Sequence, residues 1–361
     1  MNLSETAQHR LANQQVSQPE LSTPEELAHW MGAMQAQDYE MAKWALGVRL
    51  PGSTRKDIEK AIQAGQIIRT HLLRPTWHFV AANNLRWILE LSAPRIRVAA
   101  RSRQKQLGIT KELISKSNKV IEQALANNKA MMRKELVEHL EDTGFKNEDN
   151  KASHLLINAE LDGVICSGPS LGKDYTYALF EDPVPPAQKL TKEEALAKLA
   201  LTYFKSHGPA TLEDFTWWSG LTKTGARKAL KLAEEKLISD EIDSQTYWIS
   251  EETKHPGFHE ESVYLLPAYD EYLISYRDRN AAIRIEDQKR AISNNGIFRP
   301  IIVLNGEVVG IWKRTEKKNA VYVETKFFRD LSKERIEQVE EAAKKFADFL
   351  GKELNLAHLS E

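Results

Sequence analysis

One short grammar recurs along this chain, and it constrains the fold more than any single motif. A helix is followed by a short extended link, a second helix, a turn, a third helix, and then a turn-rich apolar stretch able to pair as two strands. The clearest copy spans residues 191–249. Thr191 and Glu194 form a capping box at its first helix, which His207-Gly208-Pro209 stops. Ala210-Thr211 is the link, LEDFTWWS the second helix, Gly220 the turn and Thr222 the cap of the third helix. LISDEIDSQTYWIS then reads as strand, polar turn and strand. A second copy fits 111–180, with AMMR as its link and VICSGPSLGKDYTYALF as its candidate wing, tipped by Gly168, Pro169 and Gly172. A weaker third copy fits 5–80. There Thr23 caps and Pro24 opens the helix TPEELAHWMGAMQ, RKDIEKAIQAG is a later helix, and QIIRTHLLRPTWHFV is an extended pair. Helix-turn-helix followed by a hairpin is the winged-helix pattern. Repeats roughly 80 residues apart predict tandem units rather than one core.

The last hundred residues differ. VYLLPAYDEYLISYRDR, GIFRPIIVLNGEVVGIWKR and AVYVETKFF are rich in β-branched and aromatic residues, and Asn305-Gly306 is a hairpin signal. The closing helix SKERIEQVEEAAKKFADFLG ends on Gly351. The expected fold is α+β and mainly helical, with a small β-barrel-like domain or sheet at the C-terminal end. The expected units are 1–108, 109–185, 186–258 and 259–361, with the proline-rich EDPVPPAQK linking the second and third.

No run of about 18 apolar residues occurs, so no membrane span is expected. The N-terminus lacks an apolar signal core, which makes a cytoplasmic protein the simplest reading. Cys166 is the single cysteine and excludes an internal disulfide framework or a multi-cysteine metal site. The ten histidines show no ligand spacing and no glycine loop suits a phosphate, so neither metal nor cofactor is expected. The net charge of −1 argues mildly against a nucleic-acid partner. Charge is segregated, however: Arg86, Arg95, Arg97, Arg101, Arg103 and Lys105 stand against Glu90 alone. That stripe is either a phosphate-binding face or a solvated helix face.

Four stretches carry a family resemblance: MQAQDYEMAKWALGVRL at 34–50, GQIIRTHLLRPTWHFV at 65–80, YFKSHGPATLEDFTWWSGL at 203–221, and LLPAYDEYLISYRDR with GIFRPIIVLNGEVVGIWKR. Together they make the chain resemble the AlkZ and YcaQ type of winged-helix DNA glycosylases. The resemblance implies three winged-helix units in a C shape plus a β-barrel-like domain. It also implies removal of N7-alkylated purines from duplex DNA, including bulky adducts and, in some members, interstrand crosslinks. The family's catalytic motif is glutamine, an apolar residue, then glutamine or aspartate. Here Gln35-Ala36-Gln37 matches the glutamine form associated with AlkZ, and the YcaQ-like aspartate is absent.

The chemistry explains how two amides could suffice. Hydrolysing an N-glycosidic bond builds oxocarbenium character on the sugar, and most enzymes answer it with a carboxylate. An N7-alkylated purine is already cationic and leaves as a neutral molecule, so no general acid is needed. Gln35 and Gln37 could then position water and the sugar or phosphate. Residues i and i+2 lie about 200° apart on a helix but share a face on an extended segment. The stripe Leu27, Trp30 or Met31, Met34 predicts a helix ending near Met34, with the pair at or just past its end.

Other candidates surround the pair. Asp38 is either an alternative base or the cap of the next helix. Asp270 and Glu271 either approach the DNA or tie units together through Arg277 or Arg279. Arg69, Arg74 and His78 are either phosphate contacts or ordinary strand residues. Trp217 and Trp218 fit a packed core, whereas Tyr175 and Tyr177 sit on a wing able to probe a groove. The competing reading is a DNA-binding regulator without catalysis. Such regulators usually dimerise, and three units in one chain without a dimerisation coiled coil favour a monomer.

Overall fold

The computed structural model describes residues 1–171, 174–253 and 262–359. Gly172 of the second candidate wing and the boundary expected at 258/259 lie outside the described residues. The chain opens with α1 (Leu3–Asn13). The first repeat follows as α2 (Pro24–Met31), β1 (Met34–Gln35), α3 (Tyr39–Gly47), α4 (Arg55–Gln63), β2 (Ile67–Leu72) and β3 (Thr76–Ala81). The long α5 (Ala82–Gln106) leads to the second repeat: α6 (Lys111–Ala126), β4 (Met131–Met132), α7 (Arg133–Glu141), α8 (Lys151–Leu161), β5 (Ile165–Ser167) and β6 (Thr176–Leu179). The third is α9 (Lys192–Ser206), α10 (Leu212–Ser219), α11 (Lys223–Ala233), β7 (Leu237–Ile242) and β8 (Gln245–Ser250). The remainder is β9 (Val263–Leu266), α12 (Glu271–Ile274), α13 (Gln288–Ala291), β10 (Ile301–Leu304), β11 (Glu307–Glu316), β12 (Ala320–Phe327), α14 (Lys333–Leu350) and β13 (Glu353–His358).

The repeats share more than element order. In the first two, the link strand pairs with the second strand of the hairpin, giving sheet orders β1-β3-β2 and β4-β6-β5. In the third, Ala210 bridges Trp248 of β8 in the same way. Thr23, Thr191, Thr211 and Thr222 cap their helices as their residue type dictates, each accepting from an amide in the first turn. The helix expected to reach Met34 stops at Met31. Gly32 turns the chain at φ 74°, which frees Met34 and Gln35 to join β1.

The C-terminal sheet is open rather than barrel-like. Its order is β13-β12-β11-β10-β9, with β9 and β13 at the edges. Asn305 and Gly306 both take positive φ in the two-residue turn between β10 and β11. After β12 the chain crosses over through α14 and returns as β13, parallel to β12. YDEYLISYRDR, expected to be part of the sheet, instead forms the short α12 and a turn.

Apolar clusters run across the repeats. Trp44 of α3 packs on Phe346 and Phe349 of α14, and Trp312 of β11 packs on Phe346. On the opposite face of the sheet, Leu266, Val303 and Val308 enclose Leu11 of α1. Tyr203, Phe204, Phe215 and Trp218 join α9 and α10 to Leu72, Val80 and Ile88 of the first segment and α5. A separate cluster has its buried residues within 109–165, with Leu107, Tyr177 and Leu179 packed against it. The basic stripe on α5 is partly neutralised, because Arg86 pairs with Glu181 and Arg97 with Asp162. Among the described residues, no helix is long and apolar enough to cross a membrane.

Candidate active site

Gln35 occupies the link strand of the first repeat, where the other repeats carry Met131–Met132 and Ala210. An antiparallel pairing sets it opposite His78 of β3. Three chain segments hold the backbone around it. The Gln35 N–H donates to Glu271 Oε1 at 2.5 Å. The Ala36 N–H donates to the Trp77 carbonyl at 2.7 Å. The Ala36 carbonyl accepts from Arg69 Nε and Nη2 at 3.1 and 3.0 Å. The Gln35 side chain is buried, and its Oε1 accepts from the Thr76 hydroxyl at 3.3 Å. Ala36 is fully buried in the core, and Gln37 is exposed. The chain thus leaves a helix before the motif, but β1 ends at Gln35, and Gln37 lies in the bend that leads into α3.

Glu271, at the first turn of α12, backs this strand. Its carboxylate accepts from the Gln35 amide and the Ser275 hydroxyl, with His207 Nε2 3.5 Å away. Burial alone would push the carboxyl up, but His207, Ser275 and the Gln35 amide hold it down at about 2. Glu271 is therefore an ionised carboxylate behind the motif. Sequence reasoning linked it to Arg277 or Arg279 and missed Gln35, because 236 residues separate the two. His207 was missed altogether. It stacks on Tyr203 at 5.0 Å, and burial pushes its pKa down.

The remaining candidates divide. Asp38 caps α3, accepting from the Met41 amide at 3.1 Å. Asp270 does not reach Arg277 or Arg279. It forms a buried two-point pair with Arg49 at 2.8 and 2.9 Å and caps α12. Arg69 turns its guanidinium onto the chain itself, bonding Ala36 and lying 4.3 Å from the Trp77 ring. His78 is buried, and Nδ1 lies 2.9 Å from the Thr76 carbonyl. Burial and the nearby Arg74 charge hold its pKa down at about 4. At neutral pH its proton therefore sits on Nδ1 and its lone pair on Nε2. Tyr175 is exposed and packs edge-on to Tyr39, whereas Tyr177 is half-buried. With Arg69, Trp77 and Met132 these tyrosines line a cavity of about 450 Å³. That cavity lies beyond the sheet face carrying Arg69 and Trp77, and Gln35 and His78 occupy the other face. Trp218 is core, as expected, but Trp217 is not: its ring lies under Arg74, and its Nε1 donates to the Ile274 carbonyl.

Comparisons with known proteins agree with this architecture. A family model described as DNA glycosylase AlkZ-like matches residues 28–349. An interstrand DNA cross-link repair glycosylase of Streptomyces sahachiroi is 22% identical over 307 residues, covering 80% of this chain and 81% of the relative. The solved structure of Streptomyces sahachiroi DNA glycosylase AlkZ superposes with a TM-score of 0.82 at 19% identity, covering 99% of each chain. The match over most of its length makes this chain a member of the AlkZ-like DNA glycosylase family, and thus a DNA-repair enzyme that hydrolyses N-glycosyl bonds.

Proposed function

We propose that this enzyme removes cationic N7-alkylated purines, bulky adducts included, from duplex DNA, with Gln35 and Gln37 as its catalytic pair. The observation that carries the reading is that Glu271, the carboxylate bonded to the motif, faces the strand's backbone rather than its side chains, while Asp38 is engaged as the cap of α3. With its oxygens engaged by Gln35 N–H and Ser275 O–H, it is not placed to activate water. The reacting face is left with neutral amides and the neutral His78. Such a face can orient a water and a sugar, but it offers no acid to protonate a leaving base. It therefore suits a base that already carries its positive charge. On this reading the three helical repeats act as winged-helix units, divided near 108 and 185, in a C shape around the duplex. Arg74 contacts the DNA, Tyr175 and Tyr177 meet it from the second hairpin, and one chain suffices. Arg69 and Asp38 support the motif from within.

The test is base release from a duplex bearing one N7-methylguanine, followed by alkaline cleavage of abasic sites. Wild-type enzyme should produce strand breaks. Gln35→Ala and Gln37→Ala should lose roughly a hundredfold in rate while still binding duplex. A duplex with uracil in the same place should stay intact. Full release by either variant overturns the assigned pair, and efficient uracil release overturns the requirement for a cationic base.

A further inference from the structure

Arg74, Arg277 and Arg279 converge on one indole. Their guanidinium carbons lie 5.0, 5.7 and 5.7 Å from the ring centroid of Trp217. The three come from distant parts of the chain: Arg74 from the turn between β2 and β3, the other two from the turn after α12. The platform is fixed, because Trp217 Nε1 donates to the Ile274 carbonyl at 2.8 Å. Like charges brought together this way repel, and folding does not collect them without a counter-charge or a use.

The protein supplies little counter-charge. Among the described residues, no carboxylate lies within ion-pairing distance of any of the three. The nearest acids are committed elsewhere. Asp214 is fully buried and accepts from the Arg277, Asp278 and Thr211 amides, with Arg10 Nη2 3.6 Å away. Asp278 accepts from the Asn280 amide, and Glu271 from Gln35 and Ser275. Among the described residues, Arg74 Nε is buried without a hydrogen-bond partner. Among them too, Arg279 bonds the backbone carbonyls of Leu273 and Arg277, and Arg277 is exposed. Burial together with its two arginine neighbours, against the opposing pull of Asp214 and Asp278, brings the Arg279 pKa down to about 10. An oxyanion would relieve the repulsion and satisfy the idle donors.

The position identifies the anion. Two residues after Arg74, Thr76 bonds the Gln35 side chain. One residue after Ile274, Ser275 bonds Glu271. The cluster thus adjoins the candidate catalytic strand on two sides. We propose that Arg74, Arg277 and Arg279, arrayed on Trp217, form an anion site for one DNA backbone phosphodiester beside the nucleotide presented to Gln35 and Gln37. The assignment of that nucleotide rests on the reading of the glutamine pair, whereas the anion site itself does not.

The experiment therefore reads binding rather than base release. Duplexes carrying single neutral methylphosphonate linkages at successive positions are titrated with wild-type enzyme and with Arg277→Gln, Arg74→Gln and Trp217→Leu. Wild type should lose roughly tenfold in affinity when one particular linkage is neutralised. Arg277→Gln should lose a similar factor on unmodified duplex and show no further loss at that linkage. Its slope of log affinity against log salt should fall by about 0.9. Because Arg277 is exposed, the variant should keep the wild-type melting temperature. Trp217→Leu should weaken binding through lost alignment while its salt slope stays near wild type. An unchanged slope in Arg277→Gln and Arg74→Gln, or a methylphosphonate penalty that persists in full in both, overturns the proposal. A failure of Gln35→Ala to reduce base release would leave these binding results standing.

Discussion

Glu271→Gln tests the link between the buried carboxylate and the motif. The substitution keeps shape and hydrogen-bonding capacity but removes the charge, and one oxygen becomes an NH2 group. That group would oppose the Gln35 amide, which can only donate, but the Ser275 hydroxyl can rotate to accept from it. The orientation toward Ser275 therefore keeps both hydrogen bonds, and the main loss is the charge. The charge contribution follows from the proton affinity. A fully buried carboxyl held at about 2, against an ordinary value near 4.5, stabilises the fold by about 3 kcal/mol at neutral pH. The folded pKa is the lowered one, so this contribution is complete above pH 4.5 and is lost as pH falls toward 2. Urea titrations of both proteins at pH 7, 5 and 3 read it directly. The variant should be less stable by about 3 kcal/mol at pH 7 and 5, and the gap should narrow at pH 3. Release of N7-methylguanine should also fall at least tenfold, because the strand bearing Gln35 loses its anchor. A gap of equal size at every pH would mean that the substitution disturbs packing rather than charge. No gap at pH 7 would refute the ionised role outright.

Three further outcomes follow from the geometry. Asp270→Asn leaves the fully buried Arg49 without its two-point partner, so thermal or urea unfolding should show a loss of about 3–5 kcal/mol, partly restored in the double variant Arg49→Met/Asp270→Leu; a loss under about 0.5 kcal/mol would contradict the assigned pair. His78 is held near 4 in the fold and near 6.5 when unfolded, so the unfolded chain takes the proton first and stability should decline between pH 6.5 and 4, by up to about 3 kcal/mol; His78→Gln should flatten that limb of the stability profile. Gly32→Ala adds a Cβ at φ 74°, 2.7 Å from Thr202 Cγ2, and should cost about 1–3 kcal/mol in urea unfolding while lowering base release, since this turn delivers the chain into β1.

How much of this could be read from the sequence depended on whether the deciding interactions were local. Caps such as Thr191 with Glu194 and turns such as Asn305-Gly306 act within a few residues, and they emerged where expected. The link strands were legible because the grammar repeats and each copy supports the others. The segment now forming α1 carries a capping box of its own, Asn2 with Glu5, but nothing local announces which of its faces is buried. Its Gln8, Arg10 and Asn13 look like surface residues, yet all three are buried, donating to the carbonyls of Asn305, Pro209 and Gly208. Polar side chains are buried here because distant backbone acceptors satisfy them, which no periodicity announces. The open sheet was obscured in a similar way: β13 pairs parallel to β12 only after the α14 crossover, and a short strand following a helix cap carries no barrel or sheet label of its own. At the site, Gln35 and Gln37 were visible as a motif, but their supports from Glu271, Arg69 and His207 were not.

The electrostatics of the site connect the two proposals. Oxocarbenium formation places positive charge on a sugar held near Gln35, and three uncompensated guanidiniums nearby would oppose it. The ionised Glu271 offsets only part of that field, because hydrogen bonds already engage it and it lies behind the strand. A phosphodiester seated on Arg74, Arg277 and Arg279 would cancel the opposing charge at the moment the nucleotide arrives. The barrier to breaking the glycosidic bond would then fall only when a DNA strand is correctly seated, so a free alkylated nucleoside, with no phosphodiester, should be a poor substrate even though its base is equally activated. Comparing release from N7-methylguanosine with release from the same base in duplex separates this from simple proximity. If proximity alone mattered, Arg277→Gln would slow turnover of bound duplex very little. If the seated phosphate also neutralises the site, the variant should lower kcat at saturating DNA as well as raise KM.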